Sequence, residues 1–587
     1  MDKFQPKRLR ALPFFQNKVF RVLLLILFPV CLYLAAELGQ AQDMGALLQF
    51  TLHRAGVALF SILLTTGIFW VGTLLTRRAW AGGLTTGALY MICSAVEYYK
   101  RESSGSHLLF SDIKMLGDLS GLGKFTKLHF SPTLACCFLF VALLIFLLWC
   151  ADIRFNRYFG IRWLISGAIA WMTALVVCAP TAFTTVCLAF GLDGRRSYNT
   201  FSDAERFDNN NLISNLVVSI NQAVDSGVDI PKGYSAAALE KLMGGKAAEG
   251  PVLPENAPNL IVIMSETFAD FRPLDGDPRL DGIYSQLDRV RGQGQTGTAV
   301  VPTFGGGTVK TEFELLFGLP VKSLGDAFIP HQLLPNDGEK ENTFPAAYQA
   351  LGYSTSYIHP YSAGFYDRGD TYSRYGFDRM LFADDLTVPV GTFHSGYVDD
   401  DTVYRQAEAI MAQTDGPDFI HITSMQNHMP YDDPAGQLSE YEYYLQGIEK
   451  SCGELADFLE RLGKADEPCI VLFIGDHFPY FSGEDSIYQK LSINSENCGV
   501  LYEQSFLLWS NKGLAGPLPE ETISAFYLPH LLYQAADLPE NPFTEAVLGE
   551  MEKAPVYSVS LPQSGSSQLL DMLAYDRVLG EGYSAAR

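Results

Sequence analysis

The chain has 587 residues, of which 48% are hydrophobic and 18% charged, and its formal net charge is −23. This composition excludes a disordered chain and leaves room for two or three domains. The charge is unevenly divided: residues 1–200 hold 19 basic and 9 acidic residues, so that the rest of the chain carries a net −33. Such an acidic segment repels a phosphate backbone, which argues against nucleic acid as a partner.

Apolar runs dominate the first third of the chain. Five runs of roughly 20 residues, each long enough to cross a hydrocarbon core of about 30 Å, lie near 19–36, 55–75, 79–97, 132–150 and 161–185. The first is predicted to be an anchor and not a cleaved signal peptide, because no small-residue cleavage site follows it. Residues 1–185 are therefore predicted to form a transmembrane domain of about five helices.

Basic residues collect on one side of these spans. Eleven Lys and Arg precede the first span or lie in the second-to-third and fourth-to-fifth loops, whereas six lie in the remaining loops among acidic residues. The positive-inside rule therefore predicts a multi-pass cell-membrane protein with a cytoplasmic N-terminus. After five crossings, everything beyond about residue 186 is expected outside the cell. Residues 107–130 are predicted to form an amphipathic helix on the outer face.

The remaining chain divides by its pattern into two parts. Residues 186–255 are polar, with turn signals and no sustained apolar run, which predicts a linker with short helices. From residue 256 to 587, apolar strand-like runs alternate with helix-like stretches, of which the clearest spans about 438–462. This alternation predicts an α/β domain with a mostly parallel sheet covered by helices.

Chemistry is expected where polar residues directly follow an apolar strand, because ligands bind at the carboxyl ends of parallel strands. Three segments qualify: Asn259–Glu266, Ile470–His477, which ends in Gly-Asp-His, and Gly305–Glu314, in which three glycines precede Thr308. Each feature by itself has another explanation: Glu266 could be a surface residue, the Gly-Asp-His segment could form a turn, and Thr308 could be an N-cap. Together, Glu266, Asp476 and His477 supply the carboxylates and imidazole that a hard divalent cation binds. Thr308 adds a hydroxyl for the metal to activate, at a helix start suited to phosphate.

The other polar residues of the Thr308 segment receive supporting roles. Thr311 lies about one turn further into the helix, where its hydroxyl is predicted to bond a carbonyl of the same helix. Lys310, Glu312 and Glu314 are assigned either to the helix surface or to support behind the site.

At these residues the chain resembles the lipoteichoic acid synthase family, membrane-anchored phosphoglycerol transferases of the alkaline phosphatase and sulfatase superfamily. The resemblance covers nearly the whole chain and implies an extracellular sulfatase-like domain over 256–587. It implies that Glu266, Thr308, Asp476 and His477 bind a metal, usually manganese in such enzymes, with magnesium or zinc as other divalent choices. It also implies that Thr308 is the catalytic nucleophile. Val309 follows Thr308 where the best-known members have Ser.

Four further residues match segments that contact substrate in this family. His359, Tyr366 and Arg368 lie in His-Pro-Tyr-Ser-Ala-Gly-Phe-Tyr-Asp-Arg, which looks like the phosphoglycerol-contacting segment, with Tyr366 in place of the usual tryptophan. His428 lies in Met-Gln-Asn-His-Met-Pro-Tyr, a match to the His-x-Pro-Tyr loop. Each has a plainer alternative: the first histidine could be a core residue at a strand end, the arginine could pair with an acidic neighbour, and the tyrosine could only pack.

The resemblance implies transfer of glycerol phosphate from phosphatidylglycerol to an extracellular glycolipid or polymer acceptor, in contact with membrane lipids. A phosphoethanolamine transferase remains open, because the same metal and threonine would serve it. A true sulfatase needs a Cys or Ser in a C/S-x-P-x-R arrangement, which none of the ten cysteines provides. A catalytically inactive, membrane-anchored binding protein is the non-enzymatic alternative, against which the joint presence of all four metal-site residues argues.

Overall fold

The computed structural model describes residues 10, 12–110, 112, 130–155, 159–195, 200–225, 228–244, 253–325, 342–481, 486–561 and 563–585. Most of the amphipathic helix predicted over 107–130 lies outside these residues. Contacts divide the chain into two compact units, one formed mainly by residues before 228 and one mainly by residues from 228 onward.

The first unit is helical. Its helices are Pro13–Gln16, Lys18–Ala41, Met44–His53, Ala55–Thr76, Ala79–Ser104, Pro132–Ala151, Phe159–Cys178, Pro180–Phe190, Thr200–Asn209 and Leu212–Asp225. Within the described ranges, four of them are long and apolar enough to cross a membrane, beginning at Lys18, Ala55, Ala79 and Pro132. The predicted series of apolar N-terminal helices is thus confirmed.

The fifth predicted span, 161–185, corresponds to two helices. The first is Phe159–Cys178, and the second, Pro180–Phe190, begins after an extended Ala179. Proline disfavours a helical conformation in the residue before it, which explains the break. The count of five spans therefore stays a prediction. Of the predicted linker, Leu212–Asp225 packs into the first unit through Leu212, Val217 and Val218.

An eight-stranded sheet organises the second unit. The strands of the unit are β1 Asn259–Ser265, β2 Gln295–Val300, β3 Ser354–Ile358, β4 Arg379–Leu381, β5 Thr392–Phe393, β6 Tyr397–Val398, β7 Asp418–Thr423, β8 Cys469–Gly475, β9 Glu503–Ser510 and β10 Ile523–Ser524. The sheet order is β10-β2-β9-β8-β1-β7-β3-β4, and β5 pairs with β6 separately. Only β9 runs antiparallel to its neighbours, so the predicted mostly parallel sheet is confirmed.

Helices cover both faces of this sheet. They are Ala236–Leu242, Arg279–Ile283, Ser285–Arg291, Thr308–Phe317, Phe344–Leu351, Arg368–Tyr372, Asp400–Met411, Glu440–Gly463, Ile487–Lys490, Leu528–Ala535, Pro542–Met551 and Gln568–Val578. Alternate residues of β1 point into two different cores, with Leu260 and Val262 in one and Ile261 and Ile263 in the other. A strand that is buried on both faces has a continuous run of apolar residues in its sequence, and β1 has such a run.

The parallel register brings the carboxyl ends of the central strands to one edge. Ser265 of β1 pairs with Gly475 of β8, and Met264 pairs with Thr423 of β7. A Cβ atom on Gly475 would lie 1.8 Å from the carbonyl oxygen of Phe268, so glycine alone lets the chain after β1 pass this closely. The residues that follow these strands therefore converge.

Candidate active site

The three metal-binding side chains predicted from the sequence meet where β1 and β8 end. One ligand atom from each of Glu266, Asp476 and His477 lies within 4.8 Å of the others, and all three residues are buried. Nδ1 of His477 lies 2.9 Å from the carbonyl oxygen of Phe478, to which it can donate. Nε2 is then a lone-pair acceptor that makes no hydrogen bond with any described residue and lies 3.2 Å from Oδ2 of Asp476. A divalent cation would complete this buried donor set.

The electrostatics of the carboxylates also fit a cation. Burial, followed by repulsion from Asp476, raises the pKa of Glu266 well above its usual value. Burial likewise raises the pKa of Asp476, against the opposing effects of His477 and the Thr308 hydroxyl. Two adjacent buried carboxylates are unfavourable unless a positive charge neutralises them.

Backbone donors hold Asp476 in place. Its Oδ1 accepts hydrogen bonds from the amides of Thr267 at 2.7 Å and His477 at 2.8 Å. Thr267 has a φ of 44°, a costly conformation for a β-branched residue, and its hydroxyl donates to the carbonyl of Asn427 at 2.6 Å. Sequence reasoning missed Thr267 and Asn427, because only their position after a strand end marks them.

Thr308 begins its helix beside these residues. The preceding Gly305, Gly306 and Gly307 all have positive φ, at 67°, 143° and 79°, and no side chain caps the helix start. Thr308 is 8% exposed, and its hydroxyl acts on both Glu266 and Asp476, where it opposes the effect of burial and lowers the pKa of each. The helix thus offers a hydroxyl and uncapped amide groups at the same point.

Thr311 has a different partner from the one predicted. Its hydroxyl donates to the backbone carbonyl of Asp476 at 2.8 Å, so the prediction of a bond within its own helix was wrong. The reason is that the first turn of the helix packs against the end of β8. Glu312 and Glu314 are both fully buried, so their assignment to the helix surface was also wrong. The supporting role remains for Glu312, whereas Glu314 accepts a hydrogen bond from the amide of Val321 and contacts none of the candidate metal ligands among the hydrogen bonds of the described residues.

Arg368 is 1% exposed and pairs with Glu312. Its Nε and Nη2 donate to Oε2 of Glu312 at 3.2 and 3.0 Å. The same carboxylate accepts hydrogen bonds from the hydroxyls of Tyr357 at 2.7 Å, Tyr372 at 2.5 Å and Thr423 at 2.5 Å. The ion pair with an acidic neighbour, one of the two roles considered for Arg368, is therefore present. A role in substrate binding stays a prediction.

The other predicted substrate residues surround Arg368. His359 lies with Nδ1 at 3.0 Å from the carbonyl oxygen of Thr423, and its buried Nε2 makes no hydrogen bond with the described residues. Burial, and then Arg368, lowers the pKa of His359 to about 3. The Arg368 guanidinium carbon lies 5.3 Å from the ring centre of Tyr366. Nδ1 of His428 is 2.8 Å from the Met429 carbonyl oxygen, and burial lowers the pKa of this histidine to about 4.

Part of the chain matches a known protein family. The Sulfatase family matches residues 258–538. The chain is 26% identical over 362 residues to a putative cyclic beta-1,2-glucan modification protein of Rhizobium meliloti (strain 1021), a match that covers 57% of this chain and 54% of that protein. It is 23% identical over 201 residues to a lipoteichoic acid synthase of Staphylococcus saprophyticus, covering 32% of this chain and 30% of that one. The chain thus spans about half or less of these curated relatives.

A solved structure aligns with most of the chain. The lipooligosaccharide phosphoethanolamine transferase A of Neisseria meningitidis, an integral membrane protein, aligns with a TM-score of 0.52 and 12% identity. The alignment covers 88% of this chain and 95% of that one. At this identity the likeness shows the fold, in which apolar helices precede a sulfatase-like domain.

Proposed function

We propose that the chain, whose residues 258–538 match the Sulfatase family, is a membrane-anchored phosphoglycerol transferase of the alkaline phosphatase superfamily. It moves glycerol phosphate from phosphatidylglycerol to an extracytoplasmic glycolipid or polymer through Thr308. One observation carries this proposal: Glu266, Asp476 and His477 converge on one buried point, and Thr308, at an uncapped helix start, acts on both of these carboxylates.

The residues would act in two steps. Oγ of Thr308 loses its proton and forms a bond to phosphorus, the bond from phosphorus to the diacylglycerol oxygen breaks, and that oxygen takes up a proton and leaves as diacylglycerol. An acceptor hydroxyl then loses its proton and bonds to the same phosphorus, the bond from phosphorus to Oγ breaks, and Thr308 takes up a proton to restore its hydroxyl. The amide groups at the helix start face the negative charge that develops on the phosphate oxygens.

Glu266, Thr308, Asp476 and His477 would hold a divalent cation, for which we propose manganese, with magnesium or zinc as the other candidates. When bound, it supplies positive charge that lowers the pKa of the threonine hydroxyl and neutralises phosphate oxygens.

The charges around Arg368 support glycerol as the headgroup over ethanolamine. Glu312 is already paired with Arg368, and Glu266 and Asp476 are the candidate metal ligands. An ammonium group here would meet the positive charge of Arg368 and find these three carboxylates engaged. A glycerol hydroxyl, by contrast, can donate a hydrogen bond to the accepting Nε2 of His359.

The names of two relatives support a glycan or polymer acceptor. One name refers to modification of a cyclic beta-1,2-glucan and the other to lipoteichoic acid synthesis. Such acceptors are reached from the outer side of the membrane, which agrees with the orientation predicted from the basic residues. We therefore propose that the catalytic unit faces outward.

Headgroup choice can be measured directly. The purified full-length protein is incubated with Mn²⁺ and vesicles that contain labelled phosphatidylglycerol or labelled phosphatidylethanolamine, and released diacylglycerol is counted. Release from phosphatidylglycerol is expected, and Thr308→Ala should abolish it. Release from phosphatidylethanolamine alone would establish the ethanolamine transferase instead, and release from neither lipid would contradict both.

A further inference from the structure

Two buried glutamates lie two residues apart on the Thr308 helix and have very different surroundings. Glu314 accepts a hydrogen bond from the amide of Val321 at 3.1 Å, and burial raises its pKa well above the usual value. Glu312 receives two nitrogen donors from Arg368 and three hydroxyl donors. Although burial alone would raise the pKa of Glu312, Arg368 lowers it to about 2. The pKa values of the two glutamates are thus shifted in opposite directions.

The bonds of Glu312 join several elements. Tyr357 lies on β3, Thr423 ends β7, and Tyr372 belongs to the helix Arg368–Tyr372. Thr423 also accepts a hydrogen bond from His359 through its carbonyl group. Because the helix that carries Glu312 starts at Thr308, this single carboxylate connects the candidate nucleophile to the segment that carries His359 and Arg368.

Glu312 also fixes the orientation of Arg368. Its carboxylate accepts hydrogen bonds from the Nε and Nη2 edge of the guanidinium. The Nη1 end, which donates a longer hydrogen bond of 3.4 Å to the Phe365 carbonyl oxygen, is then the part that can donate to a ligand. Burial, chiefly, keeps the pKa of His359 near 3 and that of His421 near 4, so these rings add no positive charge at neutral pH. Arg368 is then the cation that Glu312 balances.

We propose that Glu312 is a positioning residue. It holds the Nε and Nη2 edge of the Arg368 guanidinium, so that the Nη1 end binds the phosphate of a ligand that lies at the start of the Thr308 helix. The role of Glu312 is exerted through Arg368 and not through the metal-binding residues. The glycerol part of the ligand rests on the proposed function, whereas the phosphate part does not.

The test compares the two buried glutamates. Glycerol phosphate binding to the full-length, Mn²⁺-loaded protein is measured by calorimetry for the parent, Glu312→Gln and Glu314→Gln. The first variant should bind at least about tenfold more weakly with unchanged metal content, because a misplaced or unpaired arginine loses a charge-assisted hydrogen bond. The second should stay within about twofold of the parent. Parent-like binding by Glu312→Gln would overturn the proposal.

Two further variants address folding and mechanism. Glu312→Asp keeps the charge but shortens the side chain, and it should weaken binding even if Glu312→Gln does not fold. In an Arg368→Gln background, Glu312→Gln should cause no further loss of affinity, because the residue through which it acts is already gone. A second, additive loss in that double variant would show that Glu312 acts by another route and would contradict the proposal.

Inorganic phosphate separates this proposal from the proposed function. If the parent binds phosphate but not glycerol phosphate, the phosphoglycerol assignment fails, and the same variants are compared with phosphate as the probe. If the parent binds neither anion, Arg368 is not an anion-binding residue and the positioning role fails with it.

Discussion

The two carboxylate oxygens of Asp476 have different roles: one is fixed by backbone amides, and the other can bind a metal. Its Oδ1 is fixed by the amides of Thr267 and His477, while Oδ2 lies 3.2 Å from the accepting nitrogen of His477. A ligand atom that is oriented in this way loses little freedom when a metal binds.

Asp476→Ala should therefore lower the metal content of the purified protein to less than about one-tenth of the parent, because the remaining ligands bind too weakly against water. Mass spectrometry of metal content provides the measurement. Asp418→Asn is the matched control, since Asp418 is a buried carboxylate at the opposite end of a neighbouring strand. Parent-like occupancy in the alanine variant would contradict the metal assignment.

Glu314 gives a prediction about pH that is independent of the metal. Its raised pKa means that the folded protein keeps a proton that the unfolded chain loses above its usual pKa of about 4.5. The unfolding free energy contributed by this residue therefore falls as pH rises, by up to about 1.4 kcal/mol per pH unit. Glu314→Gln removes that dependence, so its Tm relative to the parent should rise from pH 5 to pH 8. A constant difference would show that the glutamate is charged in the folded state.

Among the secondary-structure elements, β8 contributes most to the candidate site, because the residues at its carboxyl end position the ligands. Gly475 allows the segment after β1 to pass at a distance that no side chain permits, and the next two residues are the candidate ligands Asp476 and His477. Close packing of these two strand ends is what places ligands from separate segments within reach of one ion.

Gly475→Ala should consequently reduce both stability and metal content. We expect a loss of about 1–3 kcal/mol, as for other overpacked positions, because a backbone carbonyl has to move. The control is Gly549→Ala in the helix Pro542–Met551, where a Cβ would meet no atom within 4 Å and alanine should stabilise by about 0.5–1 kcal/mol. Thermal unfolding with metal analysis distinguishes the two; full metal content in Gly475→Ala would show that the strand end tolerates displacement.

Much of this architecture could be predicted from the sequence, and the failures have physical causes. The central strands are continuous apolar runs that end in polar residues, so Glu266, Asp476 and His477 were predictable as neighbours. The antiparallel direction of β9 could not be predicted, because the pattern of apolar residues in a strand does not depend on its direction. A supporting role for Glu312 was one of two predicted alternatives, but its partners were not predictable, since its donors are 45 to 111 residues away and charged residues on a helix usually face solvent.

At the scale of the whole molecule, the chain joins an apolar helical unit to an acidic, sulfatase-like unit. The likeness to an integral membrane transferase covers both units, which supports a common plan of membrane helices followed by a sulfatase-like domain. Such an anchor would keep the catalytic unit near lipid substrates and products, which the proposed reaction requires at each turnover.

Reporter fusions test on which side of the membrane the sulfatase-like unit lies. An alkaline phosphatase reporter fused after residue 200 should be active, because that reporter folds only outside the cytoplasm, and one fused after Arg78 should be inactive. The second fusion serves as the internal control. The opposite pattern would place the catalytic unit in the cytoplasm and contradict the proposed access to extracellular acceptors.

The central claim is that Thr308 becomes covalently phosphorylated by the headgroup of its lipid donor. The most direct measurement is mass spectrometry of peptides from the full-length protein after incubation with Mn²⁺ and phosphatidylglycerol, without any acceptor. We predict a glycerophosphoryl group on the peptide that contains Thr308, absent in Thr308→Ala and retained in part in Thr308→Ser, which keeps a hydroxyl. An adduct on another residue, or near-parent turnover by Thr308→Ala, would contradict the account.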